Sequence, residues 1–118
     1  MTNFDPGDIV SVDFPYSDLQ GRKRRPGLVL SGDNEDLLLA RITTRPAAEQ
    51  GDIALSGWSE AGLPRPSTVR LAKLATVDRR LVLRRIGRIG VADGSEVVKA
   101  FEVWLRGMVD GFQRTDQS

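Results

Sequence analysis

The chain contains neither cysteine nor histidine. Without cysteine there is no disulfide, no thiolate metal site and no cysteine nucleophile. Without histidine it lacks the imidazole that most catalytic zinc sites, Ser-His-Asp hydrolases and paired-histidine ribonucleases require. Any chemistry must run on Arg, Lys, Asp, Glu, Ser, Thr or Tyr, and no metal or cofactor is expected. Aromatic residues are few, at 6%, so stacking platforms for bases are scarce. Long apolar runs are missing too. The longest aliphatic run, Leu37-Leu38-Leu39-Ala40, falls far short of the ~20 residues a membrane helix needs. The opening Met1-Thr2-Asn3-Phe4-Asp5-Pro6 has no basic-then-apolar signal pattern. A cytoplasmic protein without membrane association is expected.

What remains is ordinary globular composition, 40% hydrophobic and 28% charged over 118 residues. That length leaves no room for a second core, so residues 1–118 are expected to form a single domain. The formal net charge is only +1, yet the charges are unevenly spread. Arg22, Lys23, Arg24 and Arg25 form one basic block and Arg79, Arg80, Arg84, Arg85 and Arg88 another, while acidic residues gather at Asp33 to Asp36 and Asp93 to Glu102. Such blocks solvate a surface or bind phosphate, and taken alone they do not decide between the two.

Alternating patterns predict short strands. Ile9 to Phe14 places Val10, Val12 and Phe14 on one side and Ile9, Ser11 and Asp13 on the other. Pro15 ends it, and a polar stretch leads to a short apolar strand around Leu28-Val29-Leu30 with Pro26 as its first residue. Leu37 to Thr43 reads as a third strand, with Leu38, Ala40 and Ile42 on one face and Arg41 and Thr43 on the other. A short strand at 52–55 precedes a helical turn around Trp58 to Ala61, closed by Gly62. Two strands follow, Thr68 to Leu71 and Lys73 to Val77, and then a segment from Leu83 to Ile89 in which Gly87 disfavours helix. From Val91 to Met108 the apolar spacing of Val97, Val98, Phe101, Leu105 and Met108 predicts an amphipathic helix. It should end at Gly111, leaving a tail of about residues 111–118 disordered. Closely spaced short strands suggest a barrel or sandwich.

The segment Gly7-Asp8-Ile9-Val10-Ser11-Val12-Asp13-Phe14-Pro15, followed by Lys23-Arg24-Arg25-Pro26-Gly27-Leu28-Val29-Leu30-Ser31, closely resembles the opening of PemK/MazF family toxins. The likeness continues through Ala40-Arg41-Ile42-Thr43-Thr44, Pro66-Ser67-Thr68-Val69-Arg70-Leu71, Thr76-Val77-Asp78 and Arg85-Ile86-Gly87-Arg88-Ile89. It implies a mainly β fold, an SH3-like small β-barrel with a C-terminal amphipathic helix. It also implies the toxin of a type II toxin–antitoxin system, usually a homodimer, that cuts single-stranded RNA at short sequences without a metal and is neutralised by a cognate antitoxin.

Cleavage through the 2′-hydroxyl of RNA needs a proton acceptor at that oxygen, charge stabilisation on the phosphorane and help for the leaving 5′-oxygen. Arg25 stands where the family carries its functional arginine, and a guanidinium fork suits phosphate oxygens. A guanidinium holds its proton too tightly to give it up readily, which fits electrostatic stabilisation better than proton donation. Thr43, with Thr44 behind it, matches the family's strand-borne hydroxyl. Asp13, Asp18 and, less favourably, Asp8 are carboxylates near the first loop that could take the proton, and each also suits a turn or strand end. Some relatives carry Arg-x-Asp where this chain has Arg70-Leu71-Ala72, so that carboxylate is missing. Lys23, Arg24, Arg41 and Arg70 are candidates for the RNA backbone. Tyr16 and Trp58 are candidates for base stacking, although Trp58 suits a core position equally, and Trp104 on the last helix suits packing or a dimer contact. Two alternatives stay open: a non-catalytic, gyrase-poison-like toxin on the same barrel, and a degenerate relative that only binds nucleic acid or antitoxin.

Overall fold

The computed structural model describes residues 4–14 and 23–114. Six strands build one antiparallel sheet: β1 (Asp8–Phe14), β2 (Lys23–Gly32), β3 (Asp36–Thr43), β4 (Asp52–Ala54), β5 (Thr68–Asp78) and β6 (Val82–Arg88). Their order across the sheet is β4-β5-β3-β2-β1-β6. A 3-10 turn, η1 (Arg79–Leu81), joins β5 to β6, and the chain ends in α1 (Val91–Gln113). The expected mainly β architecture with a C-terminal helix is therefore present. Ring closure is not, because among the described residues β4 and β6 stand as the two ends of the sheet.

The sheet is buried on both faces. On one side Ile9, Leu28, Ala40, Ile42, Ile53, Val69 and Leu71 form a cluster that also takes in Val97 of α1, with Trp58, Ile86, Ala100 and Phe101 packed around it. On the other, Val10, Val12, Val29, Leu37, Leu39 and Val77 form a second cluster, against which Phe4, Leu81 and Val82 pack. β1 is consequently not the half-buried strand that its alternation predicts. Its Ser11 and Asp13 suggested a solvent face, but Ile9 and Val10 are both fully buried. The lid over Val10 comes from Phe4 and η1, which are distant in sequence, and Arg79 lies over the Phe4 ring at 5.4 Å.

Local departures from the sequence expectation have identifiable causes. β2 starts at Lys23, before Pro26. Pro26 sits opposite Ser11 of β1, while pairing of β2 with β3 reaches only to Gly27 opposite Arg41, so the missing N–H removes no ladder bond to β3. The two strands expected at 68–71 and 73–77 are one strand with a bulge: Arg41 opposes Arg70 while the preceding Ala40 opposes Leu74. The 82–88 segment is a strand at the sheet's edge. The turn at 57–62 forms as expected, with the Ala61 N–H donating to the Gly57 carbonyl at 3.0 Å and Gly62 at φ +95°. Gly87 has a positional reason: a Cβ there would run into the Ala61 carbonyl. The final helix continues through Gln113, past Gly111, since two exposed glycines weaken but do not break a helix. Residues 115–118 lie outside the described residues. No helix among the described residues is long and apolar enough to cross a membrane.

Candidate active site

Strand register decides which side chains can act together, because residues paired across strands share a face. One row runs Val10, Gly27, Arg41, Arg70, Asp52 across β1, β2, β3, β5 and β4. Beside it Thr43 opposes Thr68, which opposes Ala54. Arg25, two residues before Gly27 and opposite Val12, lies on this same face by the two-residue period. Thr43, two residues after Arg41, stands at the matching position of the neighbouring strand. The sheet thus gathers Arg25, Arg41, Thr43 and Arg70 on one face, at the end left open by the second apolar cluster. Four of the candidates thus lie on one face of the sheet.

Arg25 is half-buried, and its Nε is fully buried with no hydrogen-bond partner among the described residues. A buried donor left unsatisfied costs roughly 1–3 kcal/mol, so an acceptor that displaced whatever covers this nitrogen would recover that cost. The Thr43 hydroxyl oxygen accepts the Arg45 N–H at 3.2 Å, which leaves its own proton to donate outward. Arg70 is held firmly. Its Nε donates to Asp52 at 3.3 Å and a terminal nitrogen pairs with Glu49 at 3.0 Å, with only 16% of the arginine side chain and 3% of the Asp52 side chain exposed. Asp52 also accepts the backbone N–H groups of Ala48 and Glu49, at 3.1 and 3.0 Å. Burial works to raise the Asp52 pKa, but these backbone donors and the Arg70 guanidinium outweigh it and hold the carboxyl below its ordinary value.

The carboxylates singled out from the sequence are placed differently. Asp13 follows Val12 by one residue and pairs with Arg24, so its side chain leaves the sheet opposite to Arg25. The exposed Arg24 shares that other face, although each is one residue from the site in sequence. Asp8 is buried and accepts from Arg85 and Arg88, both at 3.1 Å, and from the Asp5 N–H at 2.8 Å. It locks β1 to β6. Tyr16 and Asp18 lie outside the described residues, as does the side chain of Lys23. Thr44 is exposed just past the end of β3, and Ala72 is exposed in the β5 bulge. Trp58 packs on the core, and the Trp104 ring lies 5.8 Å from that of Phe101. Glu49 and Asp52 were not visible as site residues in the sequence. Alternation around Ile53 marks Asp52 as outward, but nothing local joins it to Arg70, eighteen residues on. Among the described residues no group of three or more Asp or Glu side chains could hold a metal ion.

Comparison with known proteins gives the chain a family and a fold. Residues 5–105 match the model of the PemK-like, MazF-like toxins of type II toxin–antitoxin systems. No curated protein matches the sequence significantly. Among solved structures, the chain is similar to an endoribonuclease in complex with its cognate antitoxin from a mycobacterial species. The identity is 17% and the TM-score 0.67, covering 84% of this chain and 91% of that one. It is similar to the Mycobacterium tuberculosis toxin MazF-mt6 at 20% identity and TM-score 0.65, over 79% and 90% of the two chains. It also resembles the MazE-MazF structure from Deinococcus radiodurans at 20% identity and TM-score 0.66, over 86% and 93%. At these identities the structural likeness speaks for the fold. The family match spans most of the chain and includes the strands that carry Arg25, Thr43 and Arg70, and on that basis the protein belongs to the PemK-like, MazF-like toxins of type II toxin–antitoxin systems.

Proposed function

We propose that the protein is a metal-independent endoribonuclease that cuts single-stranded RNA in the cytoplasm and is silenced by a cognate antitoxin covering the same face. The observation that carries the reading is the buried, unpartnered Nε of Arg25 on the face that also presents Thr43, Arg41 and Arg70. An RNA phosphate supplies the acceptor that this donor lacks. The 2′-oxygen of the substrate attacks its own phosphorus, the bond to the 5′-oxygen breaks, and the products carry a 2′,3′-cyclic phosphate and a 5′-hydroxyl. Arg25 stabilises the charge on the pentacoordinate phosphorus, Thr43 donates a hydrogen bond to it, and Arg41 and Arg70 hold the flanking backbone. Purified protein incubated with a long single-stranded RNA in excess EDTA should give discrete bands with those termini, and matched single-stranded DNA should stay intact. RNA left uncut would overturn the ribonuclease reading and favour a toxin that acts by binding.

The homodimer belongs to the same reading, with α1 as its seam. Val91, Val98, Leu105 and Phe112 recur every seven residues along α1 and are exposed, as is Met108, a spacing that suits a partner helix. The first half of α1 carries Asp93, Glu96 and Glu102 with Lys99, the second half Arg106 with Asp110, and Arg114 caps the helix. Leu105→Asp should convert a dimer to a monomer in sedimentation equilibrium without lowering helix content. An unchanged mass would remove α1 from the interface.

A further inference from the structure

The gathered face holds cations and hydroxyls, and its chemistry still needs a group to take the 2′-hydroxyl proton. Of the sequence candidates, Asp13 is turned to the opposite face and Asp8 is locked between Arg85 and Arg88, while Asp18 lies outside the described residues. The carboxylates bonded to Arg70 are Asp52 and Glu49. Asp52 cannot reach out. Its side chain is 3% exposed, one oxygen accepts from Arg70 and the other from two backbone N–H groups. Glu49 is its opposite. Its side chain is 66% exposed, a single oxygen is engaged by Arg70 at 3.0 Å, and the second oxygen has no bond among the described residues. Its backbone is nevertheless pinned, because the Glu49 N–H donates to the Asp52 side chain and the Asp52 N–H returns to the Glu49 carbonyl at 3.0 Å. A free carboxylate oxygen on an anchored stem, at the edge of a basic face, is what a proton acceptor needs.

We propose that Glu49 is the general base of this site, a catalytic residue that takes the proton from the substrate's 2′-hydroxyl, with Asp52 and Arg70 as the residues that position it. The assignment rests on the ribonuclease reading. β3, which carries Thr43, lies directly beside β5, which carries Arg70, so a scissile phosphate resting on Thr43 can turn its ribose 2′-oxygen to the β5 side, where Glu49 meets Arg70. Glu49 removes the proton as the 2′-oxygen bonds to phosphorus, and the 5′-oxygen leaves and is protonated by water. Glu49 then returns its proton to solvent, so no covalent enzyme intermediate forms. The charged groups bonded to it or to its partner are Arg70 on β5 and Asp52 on β4.

The test is single-turnover cleavage of RNA by the full chain and by Glu49→Gln as a function of pH, beside binding of the same RNA with a 2′-deoxy substitution at the cut site. Glutamine keeps the size and a hydrogen bond to Arg70 but accepts no proton. The expected result is a loss of about 10²- to 10⁴-fold in the cleavage step. The rise of rate with pH on the acidic limb should disappear, and binding of the deoxy substrate should change less than about threefold. Cleavage by Glu49→Gln at the wild-type rate and pH profile overturns the assignment while leaving the ribonuclease reading intact. Faster cleavage with tighter binding also overturns it, and would make Glu49 a phosphate mimic that substrate displaces from Arg70. No cleavage by the wild type overturns the underlying reading as well.

Discussion

Replacing Arg25 by alanine should abolish RNA cleavage and leave the melting temperature within about 2 °C of wild type. The two halves of that expectation come from the same atom. Preorganised donors aimed at developing charge are worth about 10²- to 10³-fold each in the chemical step, and a guanidinium offers more than one, so the combined loss should reach about 10³-fold or more. Stability should hardly fall, because the Arg25 Nε is buried and satisfies no acceptor among the described residues. Deleting it removes an unmet donor as well as some packing of the side-chain stem. Arg25→Lys separates charge from geometry. Lysine retains the cation but not the planar fork, so its rate should fall between the two. The pair is measured by single-turnover cleavage with a thermal melt of each variant. An Arg25→Ala protein that cuts RNA at the wild-type rate sinks the assignment. One that melts many degrees lower makes the arginine structural.

The site was partly legible in the sequence because the residues that compose it obey local rules. Arg41 and Thr43 share a face by the two-residue period alone, and Arg25 is marked by its position before Pro26. Arg70 stands on the next strand of the likeness. What stayed hidden depends on pairing between distant strands. Asp13 looked as suitable as any carboxylate near the first loop, but a strand turns each successive side chain over, and one residue separates it from the useful face. Asp52 and Glu49 meet Arg70 only because β4 pairs with β5 in the register that sets Asp52 opposite Arg70. The fold shows the same division. Strand positions and the final helix follow from periodicity, and the bulge in β5 appears in the sequence as the interruption at Ala72. The second apolar cluster required knowing that Phe4 and Leu81 come to rest over Val10 and Val12.

The largest loss of stability from one polar side chain is expected at Asp93, in the first turn of α1. Gly90, which begins that helix, provides no side-chain cap. Asp93 is buried and accepts from the Ser56 N–H at 3.0 Å, the Ser56 hydroxyl at 2.9 Å and the Gly57 N–H at 2.8 Å. It ties the helix to the loop that packs against β6. Burial pushes its pKa up, while these three hydrogen bonds and the Ser56 and Gly57 backbone in particular pull harder and leave it below the ordinary value. Asp93→Ala removes the acceptor and strands two backbone donors, at a cost of about 2–4 kcal/mol. For a domain of this size that corresponds to a fall of roughly 10 °C in melting temperature. The pH dependence has a definite sign. A carboxyl whose pKa is depressed by folding contributes fully above its unfolded value of about 4, and the contribution fades as pH falls through the lower folded value. Urea melts of wild type and Asp93→Ala should therefore differ most at neutral pH and converge in acid. Asp52, shifted in the same direction, titrates in both proteins and drops out of the difference. A gap that stays constant down to pH 3 would mean that lost packing, rather than the ionised carboxylate, accounts for the effect. Equal melts at pH 7 would show that the helix does not depend on this tie.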